Sequence, residues 1–314
     1  EIYTLSLHDA LPIFGRAKVL VDAMGILSPV ARQLNGGRPQ THICPTVGTI
    51  ASGFRDVEME VGEILVSTGP ADIREKQGRQ LIWEGFPSRG DEYVTYLFFY
   101  DEVDSRNDKS LLGLFETYFR TLSDYKRPGD DFVIHRPVYG IIPAYFHDGL
   151  KRTRVVAADR ILSLGDAASL ASPLTFCGFG SMARNLDRLT EELDLLLRHG
   201  TLASEDLGSV SAYEPNVASM ANLMKYMCFN VETDEPNFVN DMMNEVMEVL
   251  EQLPSRYREA MFRDELRLEE LVTVMLRVAV RYPKILQATW QKLGVQGSVG
   301  FLKNLVGWAF SSTK

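Results

Sequence analysis

Cysteine is scarce in this chain, with 3 in 314 residues. Cys44, Cys177 and Cys228 lie far apart and form no CxxC, so neither a disulfide framework nor a zinc cage is encoded. That usage fits a reducing compartment, the cytoplasm. Basic residues are in deficit too: 33 Lys and Arg face 42 Asp and Glu, for a net charge of −9. Such a chain has no uniform positive field to hold a phosphate backbone, which argues against a nucleic-acid partner. No stretch reaches the roughly 18 uninterrupted apolar residues that a bilayer-spanning helix needs. His42, His135, His147 and His199 lack metal-site spacings such as HExxH, so no metal is expected. What the chain does have is apolar material, 45% of its residues, enough for a real core, and a length that points to two domains.

Residues 1–13, EIYTLSLHDALPI, lack the basic start, apolar middle and small-residue cleavage site of a secretory signal. The string resembles a translated sequencing adapter joined to a genuine reading frame near Phe14, an expectation that sets it apart from the fold.

Beyond it, Ala17–Asp22 (AKVLVD) reads as a short buried strand, and Ser28–Leu34 as a helix with serine as N-cap and proline at its first position. From Thr46 to about Arg79 the chain alternates in the manner of antiparallel strands. Tyr93–Tyr100, rich in aromatic and β-branched residues, is the strongest strand signal, and the charged loop DEVDSRNDK follows it. Ser110–Leu122 predicts a helix, Pro128-Gly129 a break, and Phe132–Ala144 another extended stretch. Arg160–Leu164 predicts a buried strand running into Gly165-Asp166. After Gly180 comes an amphipathic helix with Leu186, Leu189, Leu193 and Leu196 or Leu197 as its stripe. Beyond Ser204 the pattern is almost all helical, with Met242, Val246, Val249, Leu250 and Leu253 on one face.

The richest local chemistry is Ile161–Gly180, ILSLGDAASLASPLTFCGFG. A buried strand ends at Gly165, which places the Asp166 carboxylate at the carboxyl edge of a sheet, where α/β folds meet ligands. Ala167, Ala168 and Ser169 are small enough for a bulky group to approach the backbone. Pro173 sets a turn before Gly178, Phe179 and Gly180, whose N–H groups head the next helix and suit a partly anionic oxygen. Taken without the rest of the string, Gly-Asp reads more readily as an N-capped strand-to-helix turn.

The full string resembles the carboxyl-side flavin motif of the FAD-dependent family of aromatic hydroxylases, geranylgeranyl reductases and lycopene cyclases. Val19–Arg32, VLVDAMGILSPVAR, is similar to that family's middle motif, with Asp22, Ala23, Gly25 and Ser28 in the matching places. The resemblance implies FAD as cofactor, with Asp166 on its ribityl chain and the amides of residues 178–180 near the flavin pyrimidine edge. It implies an α/β fold, the carboxyl-terminal part of an FAD/NAD(P)-binding flavoprotein. The FAD portion would comprise residues 14–45 and 150–203, a sheet-rich substrate domain 46–149, and a helical domain 204–314. The family's amino-terminal GxGxxG is absent, so the chain is expected to be part of a longer flavoprotein, with weak or no FAD binding by itself.

Within the family, PLTFCGFGSMARNLDRL and LGLFETYF look most like the CruA/CruP-type lycopene cyclases. This implies proton-initiated, non-redox cyclisation of a carotenoid, and so an acid whose pKa is raised by apolar surroundings. Asp101 and Glu102, after the aromatic strand, and Glu116, flanked by Phe115, Tyr118 and Phe119, are the candidates. Each also reads as a solvated turn or helix position. Tyr96, Phe98, Tyr100 and the Met-rich stripe at 242–247 read as core or as carotenoid wall. An isoprenoid double-bond reductase and a non-catalytic, cyclase-like protein with an interaction tail are the alternatives. Cys177 reads as a small packed hydrophobe or a nucleophile. Phe301–Phe310, FLKNLVGWAF, reads either as a helix docked on the core or as an element lying on a membrane surface, where an apolar substrate resides.

Overall fold

The computed structural model describes residues 16–55, 58–73, 78–145, 154–169, 174, 178–210, 223–263 and 265–311. Residues 1–13, His147, Pro173 and Cys177 lie outside the described residues.

Strand β1, Leu20–Asp22, leads through one turn of 3-10 helix, Gly25–Leu27, into α1, Pro29–Leu34. Ser28 caps α1 as expected, its Oγ accepting the Ala31 N–H at 2.9 Å. The chain then enters a large antiparallel sheet: β2 (His42–Arg55), β3 (Glu63–Ser67), β4 (Ile82–Pro87), β5 (Tyr93–Phe98) and the short β6 (Asp101–Glu102). Helix α2, Leu111–Tyr125, crosses back, and β7, Arg127–Ala144, closes the sheet. The strand order is β3-β4-β5-β2, with β6 continuing along the β5 edge of β2 and β7 on its other edge.

The expected break at Pro128-Gly129 does not occur. Strand β7 runs through both residues, and its residues 129–132 bulge out of the pairing opposite the single β2 residue between Ser52 and Phe54. Gly53 sits opposite that bulge at φ 76°, a left-handed backbone that glycine adopts without a steric penalty.

Side chains alternate between the two sheet faces. Val47, Trp83 and Leu97 point to α2 and pack with Leu114, Tyr118 and Leu122. The Tyr118 hydroxyl bridges the buried Thr49 and Thr95 hydroxyls at 2.6 Å each. Cys44, Ile82, Phe98 and Ile142 point the other way, into a core shared with the carboxyl-terminal helices. Those helices are α5 (Phe238–Glu251), α6 (Ser255–Phe262), α7 (Leu268–Arg281) and α8 (Lys284–Ser311), the last kinked at Gly294.

A second, small sheet holds the strands outside the large one: β8 (Ala157–Ala158) and β9 (Ile161–Ser163), with β9 parallel to β1. Helix α3, Gly178–His199, and α4, Ser204–Ser209, pack beside it through Leu189, Leu202 and Leu207. Leu186, expected on the buried stripe of α3, is 59% exposed. Among the described residues no helix is long and apolar enough to cross a membrane.

Candidate functional site

The β1–β9 pairing brings the two sequence motifs together. Asp22 stands opposite Ser163, and the turns that follow, Gly25–Leu27 and Gly165–Ala167, pack side by side. Asp22 fastens them. Its buried carboxylate accepts Ser28 Oγ at 2.6 Å, Ser163 Oγ at 3.3 Å and the Met24 N–H at 3.2 Å, while its carbonyl takes the Leu164 N–H at 2.9 Å. With each carboxylate oxygen held by the protein, Asp22 is placed to shape the crevice from beneath.

The crevice itself is built of small groups. Gly25 and Gly165 have φ 69° and 59°, and a Cβ added at either would meet nothing within 4 Å. Ala23 is exposed beside Gly25, while Ala167 and Ala168 are buried under the turn. Asp166 is exposed at the lip, yet partial desolvation by the surrounding backbone holds its carboxyl above the usual aspartate pKa. Helix α3 starts at Gly178, so the N–H groups of Gly178, Phe179 and Gly180 belong to its first turn and have no intrahelical partner. Phe179 is 89% exposed.

Sequence reading missed Arg154. Its buried guanidinium donates Nε–H to the Ala168 carbonyl at 2.7 Å and Nη2–H to that of Ala167, holding the Asp166 turn from behind. Its buried Nη1 has no hydrogen-bond partner among the described residues. Burial lowers its pKa to about 10, so it remains a cation. A carboxylate at the lip, open space over two glycines, helix-start amides and an unspent guanidinium N–H together suit a large, polar, partly anionic ring system such as a flavin. No group of His, Cys, Asp and Glu among the described residues is arranged to hold a metal ion.

The three candidate acids fall elsewhere. Glu116 is exposed on α2, with its neighbours Thr117 and Tyr118 turned to the sheet. Glu102 lies 3.6 Å from His42, and this contact lowers its carboxyl pKa, the opposite of what a proton donor requires. Asp101 is buried but engaged: it accepts Ser105 Oγ at 2.6 Å and the Glu102 N–H at 2.8 Å and lies 3.4 Å from Lys109, ordering the charged loop. The carboxyl whose surroundings do match is Glu84, on β4. It is buried, and desolvation raises its pKa to about 8. Its signal was a lone acid inside the apolar strand run LIWEGF.

Two cavities flank the sheet face on which Glu84 sits. The first, about 460 Å³, is walled by Leu65, Met242, Met243, Met247 and other apolar residues of the carboxyl-terminal helices, and by Leu174 from the loop after Asp166. The Tyr100 hydroxyl donates to the Leu174 carbonyl at 3.3 Å and fixes that loop to the sheet. The second, about 560 Å³, is lined by Thr46, Phe86, Val94, Tyr96 and four residues of β7. Of the residues left open between core and wall, Phe98 and Tyr100 are core, Met242 and Met243 are core and also line the first cavity, and Tyr96 lines the second.

No family model matches the chain, and no curated protein matches its sequence. Among solved structures, the chain is similar to a geranylgeranyl bacteriochlorophyll reductase-like protein from Thermoplasma acidophilum, at 13% identity over 88% of this chain and 62% of that one, with TM-score 0.54. It is also similar to the halogenase PltM, at 17% identity over 87% of this chain and 54% of that one, TM-score 0.45. PqsL, a probable FAD-dependent monooxygenase from Pseudomonas aeruginosa, shares 16% identity over 72% of this chain and 59% of that one, TM-score 0.41. The fold is therefore similar to that of the reductase-like protein, α/β with an antiparallel sheet and carboxyl-terminal helices. The chain spans about three fifths of the length of the first of these structures.

Proposed function

We propose that this chain is part of an FAD-dependent enzyme that acts on an isoprenoid, and that it is a lycopene cyclase-like enzyme acting on a carotenoid by proton-initiated cyclisation. One observation carries the reading. The apolar cavity walled by Met242, Met243 and Met247 reaches Leu174, in the loop that begins at Asp166, so a long hydrocarbon and a flavin would share a wall. Methionine and leucine walls adapt to an irregular chain and leave it no polar partner.

Asp166, Gly178, Phe179 and Gly180 would hold the cofactor, with Ala23, Gly25, Gly165 and Ala167 giving it room. Arg154 would fix the Asp166 turn. When bound, reduced FAD would supply an electron-rich face to stabilise a nearby carbocation. The protein's own task is to exclude water from that cation and to deliver and recover one proton.

The test is product mass after incubation of the full-length protein with lycopene and reduced FAD. Cyclisation leaves the mass unchanged. Addition of two hydrogens per double bond would instead establish an isoprenoid double-bond reductase, the second reading, which the fold's likeness to a geranylgeranyl bacteriochlorophyll reductase-like protein favours. Leu174→Trp, which fills the cavity beside the loop, should abolish polyene uptake while FAD binding persists. Loss of both together would place the cavity's role in folding instead.

A membrane surface completes the proposal, since such substrates reside in bilayers. Helix α8 docks through Phe301 and Trp308 and exposes Leu286, Trp290, Leu302, Val306 and Phe310, a stripe suited to lying among lipid headgroups. Docking on the core accounts for the buried residues of this helix, and the membrane contact is our proposal for the exposed ones. Flotation with liposomes should carry the protein upward, and recovery only from the bottom fraction would count against this contact.

A further inference from the structure

Glu84 occupies an unusual position on the sheet. It pairs with Tyr96 across the β4–β5 ladder, and Tyr96 pairs in turn with Gly48 of β2. On its own strand its same-face neighbours are Ile82 and Phe86. Phe86 and Tyr96 line the second cavity, and Leu65, whose peptide N–H donates to the Glu84 carboxyl, lines the first. Glu84 itself lines neither cavity; it is buried in the wall between Leu65, which lines the first, and Phe86 and Tyr96, which line the second.

Its surroundings leave it under-satisfied. The residue is 2% exposed, and Oε2 has no hydrogen-bond partner among the described residues. The Leu65 amide reaches it only because the β3 backbone turns left-handed there, φ 53°, inside the register shift between Glu63 and Val66. A non-glycine residue is disfavoured in that conformation, so the strand is strained at the point where it supplies this N–H. The titratable groups that sense Glu84 are Tyr96 and Tyr100 beside β5, Cys44 on β2 and Tyr125 on α2, all neutral at pH 7. Arg136 on β7 acts on Tyr96.

A carboxylate in such a place would be a buried charge without a counter-ion. A carboxylic acid would be neutral, with one O–H to give. We propose that Glu84 is the proton donor of the site, a neutral acid held in the wall between the two cavities that protonates a trisubstituted carbon–carbon double bond of the apolar chain. This rests on the isoprenoid reading above. In the step, the π pair of the double bond forms a new C–H bond, the O–H bond breaks, and its electron pair remains on Glu84 as carboxylate. The positive charge falls on the more substituted carbon, a second double bond attacks it to close the ring, and loss of a neighbouring proton to the Glu84 carboxylate restores the acid. No electrons enter or leave.

Two measurements test this. Infrared titration of the unmodified protein should show a protonated-carboxyl C=O band that persists above pH 7, fades near pH 8 and is missing from Glu84→Gln. A parent spectrum without such a band at pH 7 overturns the proposal whether or not any variant folds. In turnover, Glu84→Gln should bind lycopene and FAD as the parent does yet lose roughly 100-fold or more in kcat, with part of the rate restored in Glu84→Asp. Turnover of Glu84→Gln within about threefold of the parent would remove Glu84 from the chemistry while leaving the isoprenoid reading intact. Failure of the parent itself to take up lycopene would instead overturn that reading, and the proton donor with it.

Discussion

Asp22 and Glu84 are both carboxyls buried to within 2% exposure, yet they have opposite characters. Asp22 receives three donors and joins two loops, so Asp22→Ala should destabilise the fold by about 3 kcal/mol, seen in urea unfolding, and weaken flavin retention in parallel. Unchanged stability would show that the loops are held together otherwise. Glu84 has a folded pKa near 8, above the ordinary 4.5. Below about pH 4.5 it is protonated in folded and unfolded chains alike and has no effect. Between these values only the folded protein keeps the proton, so stability should fall as pH rises from about 4.5 to about 8, on the order of 1 kcal/mol per unit. Glu84→Gln should remove that slope, and an identical slope in the variant would assign it to other groups. The Asp166 and Gly25 loops were legible because glycine, alanine and aspartate in fixed order mark a ligand-facing turn. Glu84 and Arg154 were not, since their meaning lies in what surrounds them across strands and loops distant in sequence.

At the scale of elements, capping and alternation carried most of the information. Ser28-Pro29 marked the start of α1, and YVTYLF marked β5. The reading failed where pairing overrode local preference, as at Pro128-Gly129, which lie within β7 where that strand bulges opposite Gly53. Gly53→Ala should therefore be costly: its Cβ would stand 2.8 Å from the Phe132 Cα, on a backbone at φ 76°. A loss of about 2 kcal/mol or more is expected in thermal unfolding, and a neutral result would show that the bulge can relax. On the opposite sheet face, Tyr118→Phe deprives the buried Thr49 and Thr95 hydroxyls of their shared partner. It should destabilise by about 1–2 kcal/mol without altering ligand uptake, because α2 lies on the face away from the cavities.

The whole molecule places a hydrocarbon-lined cavity and a buried acid on the large sheet and a glycine-rich crevice on the small one. Only the crevice could be read from the chain, because cavities form where helices α5 to α8 meet the sheet, and no local pattern records that meeting. The apolar residues exposed on α8 extend the same chemistry outward. The Asp22–Ser163 contact also has a kinetic side, since it joins residues 141 positions apart. Closing so long a segment is entropically slow unless the intervening chain has already condensed. In refolding, the tryptophan signal of the large sheet should accordingly recover before any dye that recognises the crevice can bind, making nucleotide acquisition the last event in maturation.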